Sequence, residues 1–348
     1  MSKIINQKGN LLISEIASLG MIAGGVFLSM GYPFFRFITY AGKKDRDIAK
    51  DKKRNNKSNN KKWFQLKHTK INHPRYKHEE EYLVAREWCE QQLMEDIYIR
   101  SFDGLILHAE YLPAENPERI VLLSHGYRGT SFGSVAHMAE FLHENNSSLL
   151  FIDQRCCGES EGEYITFGAK EQYDILAWIQ MIQNKLQPKN EAGEKLPVYL
   201  YGQSMGASAV LMASAHELPE NVKGIIADCG FHSMKMQLSD MAANWFHFHY
   251  IGLLLMRVDL FCRIFAGFKM KDADTTSALK ENTRPVLFFH GEDDTYVSPI
   301  NTDLNYLQCQ APKEKVIVPG ARHLCSSYEA PELYKKKLVE FFEKNDRM

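Results

Sequence analysis

The sequence has almost no net charge, no paired-cysteine motif and no internal repeat. Its 42 Lys and Arg stand against 43 Asp and Glu, a formal net charge of -1, which excludes a disordered chain or a nucleic-acid-coating protein of extreme charge. Seven cysteines are present, an odd number, and no C-x-x-C spacing occurs that would mark a zinc ribbon or a redox dithiol. Cys156 and Cys157 are adjacent, and a bridge between neighbours would be strained, so both read as free thiols in a reducing environment. No repeat of fixed period is visible. What is present is enough apolar material for a sizeable core, 45% of 348 residues, in a length that leaves one or two domains open.

The near-zero charge is a cancellation. The first 80 residues hold 17 Lys and Arg against 6 Asp and Glu, so the remaining 268 carry a net -12, the pattern of a basic appendage on an acidic globular unit. Within the appendage, Ile16 to Phe35 passes twenty residues without a charge, the length of a bilayer-spanning helix. Glu15 and Arg36 bracket it, interfacial aromatics follow at Phe37 and Tyr40, and no small-residue cleavage site ends it. Lys43 to Lys62 then holds ten Lys and Arg and three acids among asparagines, a solvated linker whose charge favours the cytoplasmic side and attracts anionic headgroups. The expected organisation is a single-pass membrane anchor at 1–40, a basic linker at 41–78 and one catalytic domain at 79–348, facing the cytoplasm. The basic run lacks the interleaved aromatics of a nucleic-acid arm until Trp63 and Phe64, so no nucleic-acid partner is expected.

From about Glu80, short β-rich runs alternate with helical patterns. Strands are expected at Asp96–Ser101, Leu105–Leu112, Arg119–Ser124, Ser148–Asp153, Pro197–Gln203, Val222–Asp228, Pro285–His290 and Lys315–Pro319, and helices at Phe132–Glu144, Lys170–Leu186, Ala207–Glu217 and Glu332–Lys344. The near-continuous apolar strands predict an α/β fold with a mostly parallel eight-stranded sheet covered on both faces, opened by an antiparallel hairpin around Phe102-Asp103-Gly104. Ligands of such sheets sit beyond the carboxyl ends of the strands.

Chemistry-bearing residues lie at those ends. Gly202-Gln203-Ser204-Met205-Gly206 is a G-x-S-x-G between a predicted strand and a predicted helix, the context of a nucleophile elbow. A serine hydroxyl needs a base, and the base an orienting acid. The elbow's partners follow in the order Ser, acid, His, which selects Ser204, Asp294 and His323. Asp293 is read as solvent-facing and His290 as structural; Asp228, ending the preceding strand, is the substitute acid. Backbone donors for an oxyanion are expected from Tyr127, after strand Arg119–Ser124, and from Met205, after the serine.

Together these residues resemble the α/β-hydrolase superfamily, specifically bacterial membrane-anchored or secreted hydrolases of the serine aminopeptidase-like and esterase-like groups. The resemblance spans about Asp96 to Phe342 and includes Asp153-x-Arg155-x-x-Gly158-x-Ser160; where many relatives have Arg-Gly-x-Gly, this chain has Arg155-Cys156-Cys157-Gly158. It implies Ser204 as nucleophile, His323 as base, Asp294 as orienting acid, and no metal or organic cofactor. About 55 residues separate strand Val222–Asp228 from the next, more than an ordinary connection, and predict a helical cap insertion at about 230–283. Its apolar run through Trp245, Phe248, Leu253 and Leu255 would line an acyl pocket, face a membrane, or simply pack on the sheet. The expected activity is hydrolysis of carboxylic esters of small acyl substrates; a peptidase or amidase, or a binding protein that keeps the fold without catalysis, are the alternatives.

Overall fold

A computed structural model describes residues 31–41, 77–186, 193–246 and 251–346. Eight strands, β1 Glu95–Arg100, β2 Ile106–Leu112, β3 Arg119–Ser124, β4 Ser147–Ile152, β5 Val198–Gln203, β6 Val222–Asp228, β7 Val286–Gly291 and β8 Lys313–Val318, form one sheet. Their order is β1-β2-β4-β3-β5-β6-β7-β8. β1 pairs antiparallel with β2 and β2 antiparallel with β4, while every other pairing is parallel. The expected hairpin and parallel sheet are both present, with β3 and β6 as expected and the other strands' ends displaced by no more than two residues.

The apolar strands serve two cores at once because successive side chains point to opposite faces. Ile120, Leu122, Val198, Leu200, Val286 and Phe288 pack on one face, where Trp178 and Val210 of the helices Glu171–Met181 and Met205–Ala213 meet them. Val121, Leu123, Tyr199, Tyr201, Leu287 and Phe289 pack on the other, against Leu142 of Ala136–Glu144 and Leu338 of Pro331–Asn345. Helix Ala136–Glu144 starts four residues later than the apolar spacing predicts. Residues 130–135 instead turn, with Gly133 donating to the Thr130 carbonyl at 2.8 Å and the Ser131 amide donating to Asp153 at 2.9 Å.

Asp153 ties down the loop after β4. Besides Ser131 it accepts from His108 Nδ1 at 2.8 Å and from the Glu159 amide at 2.9 Å. Gly158 has φ +50°, and a Cβ there would overlap the Asp153 carboxylate. Arg155 donates to Asp174 at 2.6 and 2.8 Å and to Asp103 at 3.0 Å, pinning the same loop to the helix Glu171–Met181 and to the β1–β2 turn. All seven cysteines are buried, and none is bridged to another.

A third core lies above the strand ends. The cap, with helices Met234–Phe246 and Gly252–Phe261, contributes Met234, Leu238, Val258 and Phe261, and helix 31–39 contributes Phe35 and Ile38. Residues 31–41, most of which fall within the expected anchor at 1–40, thus pack in this third core together with the cap. Of the predicted membrane span Ile16–Phe35, residues 16–30 lie outside the described residues, as does the linker from 42 to 76. Its last five residues start helix 31–39, whose apolar side chains find protein partners: Phe35 packs against Tyr164 and Phe261 at centroid distances of 5.6 and 6.0 Å. Among the described residues no helix is long and apolar enough to cross a membrane.

Gly158→Ala combines a strained φ with loss of the Asp153 contacts. It should lower stability by about 2 kcal/mol or more, read as a reduced midpoint of thermal unfolding; an unchanged midpoint would mean that Asp153 does not need this close approach.

Candidate active site

β5 ends and the helix Met205–Ala213 begins around one residue, Ser204, whose backbone has φ 53° and ψ -119°. A side chain other than glycine in that region carries strain of about 1–3 kcal/mol, which the surrounding contacts must hold. The Ser204 amide donates to the Asp228 carbonyl at 2.8 Å. Both glycines of the motif are required by proximity, since neither has a positive φ: a Cβ on Gly202 would overlap the Gly206 carbonyl, and one on Gly206 would overlap the carbonyl oxygens of Ser124 and His125. The turn is thus backbone packed on backbone, and it leaves the serine hydroxyl beyond the strand ends at a helix amino terminus.

His323 reaches this hydroxyl from the loop after β8. Its Nε2 lies 2.9 Å from Ser204 Oγ and its Nδ1 lies 2.6 Å from Asp294 Oδ2. With a carboxylate at Nδ1, that nitrogen carries the proton and donates, leaving Nε2 to accept from the serine. All three residues are buried. The expected Ser204, His323 and Asp294 are brought together in one hydrogen-bonded line.

Asp294 is itself held from several sides. Its Oδ1 accepts from the Tyr296 and Val297 amides, each at 2.9 Å, and its Oδ2 accepts from His290 Nε2 at 3.1 Å. That His290 nitrogen also faces the Val297 carbonyl at 2.9 Å, so it is the protonated one, and Thr302 Oγ1 donates to Nδ1 at 2.7 Å. Burial alone would raise the Asp294 pKa, but the charge on His323 and the hydrogen bonds from His290 and His323 outweigh it and hold the carboxyl below its ordinary range. Sequence reasoning took His290 as structural without seeing that its partner is the acid, and it missed Tyr296, whose ring stacks on His323 at 4.8 Å. An aromatic two residues after the acid was the available signal.

Asp228, the substitute acid, is placed elsewhere. Its Oδ2 accepts from Gln203 Nε2 at 3.1 Å and Tyr334 Oη at 3.0 Å, and burial pushes its carboxyl up to about 6. Two acids at neighbouring strand ends are driven in opposite directions, and only Asp294 bonds the imidazole.

Tyr127 and Met205 both border the cavity into which Ser204 opens. Met205 is the first residue of its helix, so its N–H has no partner within the helix. The cavity holds about 460 Å³ and is lined largely by apolar side chains of the body and cap, among them Phe167, Phe231, Leu238 and Met241. Cap residues 247–250, including the expected pocket-liner Phe248, lie outside the described residues. Cys229, Asp294 and His323 lie close enough to share a metal ion. Burial, however, raises the Cys229 thiol well above its ordinary value, and a neutral thiol is a poor ligand.

A nucleophile elbow, a histidine from the last strand's loop and an acid from the loop after β7, on a mostly parallel sheet of eight strands, decide the fold. The chain has the α/β-hydrolase fold. A family model described as serine aminopeptidase matches residues 115–260, which takes in Ser204 and ends before Asp294 and His323. The chain is 27% identical over 232 residues to the uncharacterized protein YqkD of Bacillus subtilis, covering 66% of this chain and 73% of that one. It is 23% identical over 270 residues to the α/β-hydrolase domain-containing protein WAV2 of Arabidopsis thaliana, covering 72% and 79%. Among solved structures it resembles the Pyrococcus furiosus esterase Pf2001, with TM-score 0.58, 19% identity and coverage of 73% and 92%. It also resembles Est1E of Butyrivibrio proteoclasticus, solved with ferulic acid bound, with TM-score 0.54, 22% identity and coverage of 72% and 100%. By fold and by these similarities the chain resembles hydrolases and esterases.

Asp294→Asn should lower kcat on the order of 10³–10⁴-fold by reversing the imidazole tautomer, whereas Asp228→Asn should stay within about tenfold of wild type. The second variant has a further signature in stability. The folded Asp228 pKa of about 6 lies above the unfolded value of about 3.9, so the folded state holds a proton that the unfolded state releases between those values, and this residue's contribution to stability rises as pH falls from about 6 to 4. Denaturation at several pH values should therefore show Asp228→Asn more favourable relative to wild type at pH 7 than at pH 4. The opposite trend would place the neutralised acid elsewhere.

Proposed function

We propose that the chain is a serine hydrolase that cleaves carboxylic esters through an acyl-enzyme on Ser204. The observation that carries this reading is the line Ser204 Oγ to His323 Nε2 at 2.9 Å and His323 Nδ1 to Asp294 at 2.6 Å, opening into an apolar cavity at the strand ends.

In the first half-reaction Ser204 Oγ attacks the ester carbonyl carbon as its proton passes to His323 Nε2, and Asp294 stabilises the imidazolium. The carbonyl oxygen becomes an oxyanion that accepts from the backbone N–H groups of Met205 and Tyr127, and the partial positive charge of the helix amino terminus adds to that stabilisation. Collapse breaks the bond to the alkoxy group, which takes the proton from His323 and leaves as an alcohol. Water then attacks the acyl carbon, giving a proton to His323; the acid departs and Ser204 recovers its proton. No metal or organic cofactor enters these steps.

A peptidase or amidase uses the same steps with an amine as leaving group, and the serine aminopeptidase description of the matching family model favours that second reading. A non-catalytic binding protein would have no reason to keep the hydrogen-bonded serine, histidine and acid. The proposal also includes a membrane tether, supported by the uncharged run that begins at Ile16 and the basic run from Lys43 to Lys62, with the catalytic domain on the cytoplasmic side.

Ser204→Ala should lose on the order of 10⁶ in kcat on a competent ester and all labelling by a fluorophosphonate probe; labelling that survives the substitution would sink the assignment. A panel of esters and aminoacyl amides of matched acyl groups separates the two reaction classes, with higher kcat/KM on the esters expected. After cell lysis the full chain should sediment with membranes and resist a high-salt wash; release by salt alone would reduce the tether to charge attraction.

A further inference from the structure

The cavity at Ser204 has one wall that belongs neither to the sheet loops nor to the cap. Phe37, Ile38 and Tyr40 line it from residues 31–41, a segment separated from the rest of the catalytic domain by the basic run. We propose that residues 31–41 are a fixed part of the acyl-binding site, and that the pocket they complete selects esters of apolar acyl groups longer than acetyl. This rests on the serine-hydrolase reading.

The segment is fastened on both sides. Tyr127 Oη donates to the Ile38 carbonyl at 2.7 Å, Arg128 Nη2 donates to the Phe37 and Tyr40 carbonyls, each at 2.9 Å, and Arg128 Nε donates to Tyr127 Oη at 2.8 Å. These carbonyls stand at the carboxyl end of helix 31–39, where the helix leaves them without partners and where a cation is favoured. On the other side the Ile165 amide donates to the Thr39 carbonyl at 2.7 Å and the Ala41 amide to the Glu163 carbonyl at 2.8 Å. Gly31 lies so close to the cap helix Gly252–Phe261 that a Cβ would meet Arg257 Cβ at 2.5 Å.

The chemistry of the wall follows from its side chains. Ile38 is only 2% exposed and presents a branched aliphatic surface, while Phe37, at 71%, forms the lip. No carboxylate is among the described residues that line the cavity, and of its two lining cations Arg36 lies over the Tyr40 ring at 4.1 Å while Arg128 is held by the Phe37 and Tyr40 carbonyls. A volume of about 460 Å³ is within the range of sites that enclose most of a drug-sized ligand, far more than an acetyl group fills. Each further methylene that such a wall removes from water strengthens binding of the acyl chain. The fastening also joins the acyl wall to the oxyanion loop, because Tyr127 holds the segment with its hydroxyl and offers its backbone N–H to the reaction.

The test uses the full chain and the ratio of kcat/KM for p-nitrophenyl octanoate to that for the acetate, with fluorophosphonate labelling of Ser204 as the check on an assembled triad. In wild type the ratio should favour octanoate. Ile38→Trp fills the wall and Phe37→Asp charges the lip, and each should lower the ratio on the order of ten- to a hundredfold while labelling persists. If Ile38→Trp does not fold, the exposed position of Phe37 lets Phe37→Asp decide alone. An unchanged ratio in a labelled variant overturns the proposal, as does a wild-type preference for acetate. Absence of Ser204 labelling in wild type would instead overturn the serine-hydrolase reading on which it rests.

Discussion

The active site depends on one close approach of backbone to backbone. Gly206 sits against the carbonyls of Ser124 and His125 at the end of β3, and Gly202 against the carbonyl of Gly206, so the chain can reverse from β5 into its helix within the five residues of the motif. That reversal puts Ser204 at φ 53° and aims its hydroxyl out of the sheet, where loops from β7 and β8 can reach it. A methyl group at either glycine would push the helix away from β3 and with it the serine from His323. Strain at Ser204 is tolerated because β5 and its neighbours β3 and β6 are almost entirely buried and cannot shift to relieve it.

Electrostatics then separates two acids that the sheet places side by side. Asp228 ends β6 with neutral hydrogen-bond donors around it, and burial favours its protonated form. Asp294 is as deeply buried, but two histidines and two backbone amides face it, and their donors favour the ionised form. The second is suited to orient and stabilise an imidazolium; the first is suited to lock Gln203 and Tyr334 beneath the elbow. His290 links β7 to this arrangement by donating to the same Asp294 oxygen that His323 bonds.

Much of this was legible in the sequence because strand–helix alternation fixes where strand ends fall, and the strand ends carry Ser204, Asp294 and His323. The inner strands β3, β4, β5 and β7 could be read from their apolar runs, since a strand buried on both faces has few polar positions to confuse with a helix. What escaped was tertiary in origin. Whether the apolar residues around Phe35 and Ile38 face lipid or protein does not show in their hydrophobicity, and their partners Tyr164 and Phe261 lie more than a hundred residues away. The late start of helix Ala136–Glu144 depends on Asp153 capturing the Ser131 amide, a contact between two loops. The His290–Asp294 bond joins residues four apart, yet a histidine before a glycine gives no sign of where its ring will turn.

The docking of residues 31–41 onto the cavity unites the two oppositely charged parts of the chain. The segment that leads into the basic run is also a wall of the pocket. The central claim is that Ser204 carries the acyl group during turnover. The most direct measurement is rapid mixing of the full chain with p-nitrophenyl octanoate, acid quenching, and mass analysis of the peptide containing Ser204. An octanoyl adduct on Ser204 that accompanies the release of p-nitrophenolate is the expected result; turnover with the adduct on another residue, or equally fast turnover by Ser204→Ala, would contradict it.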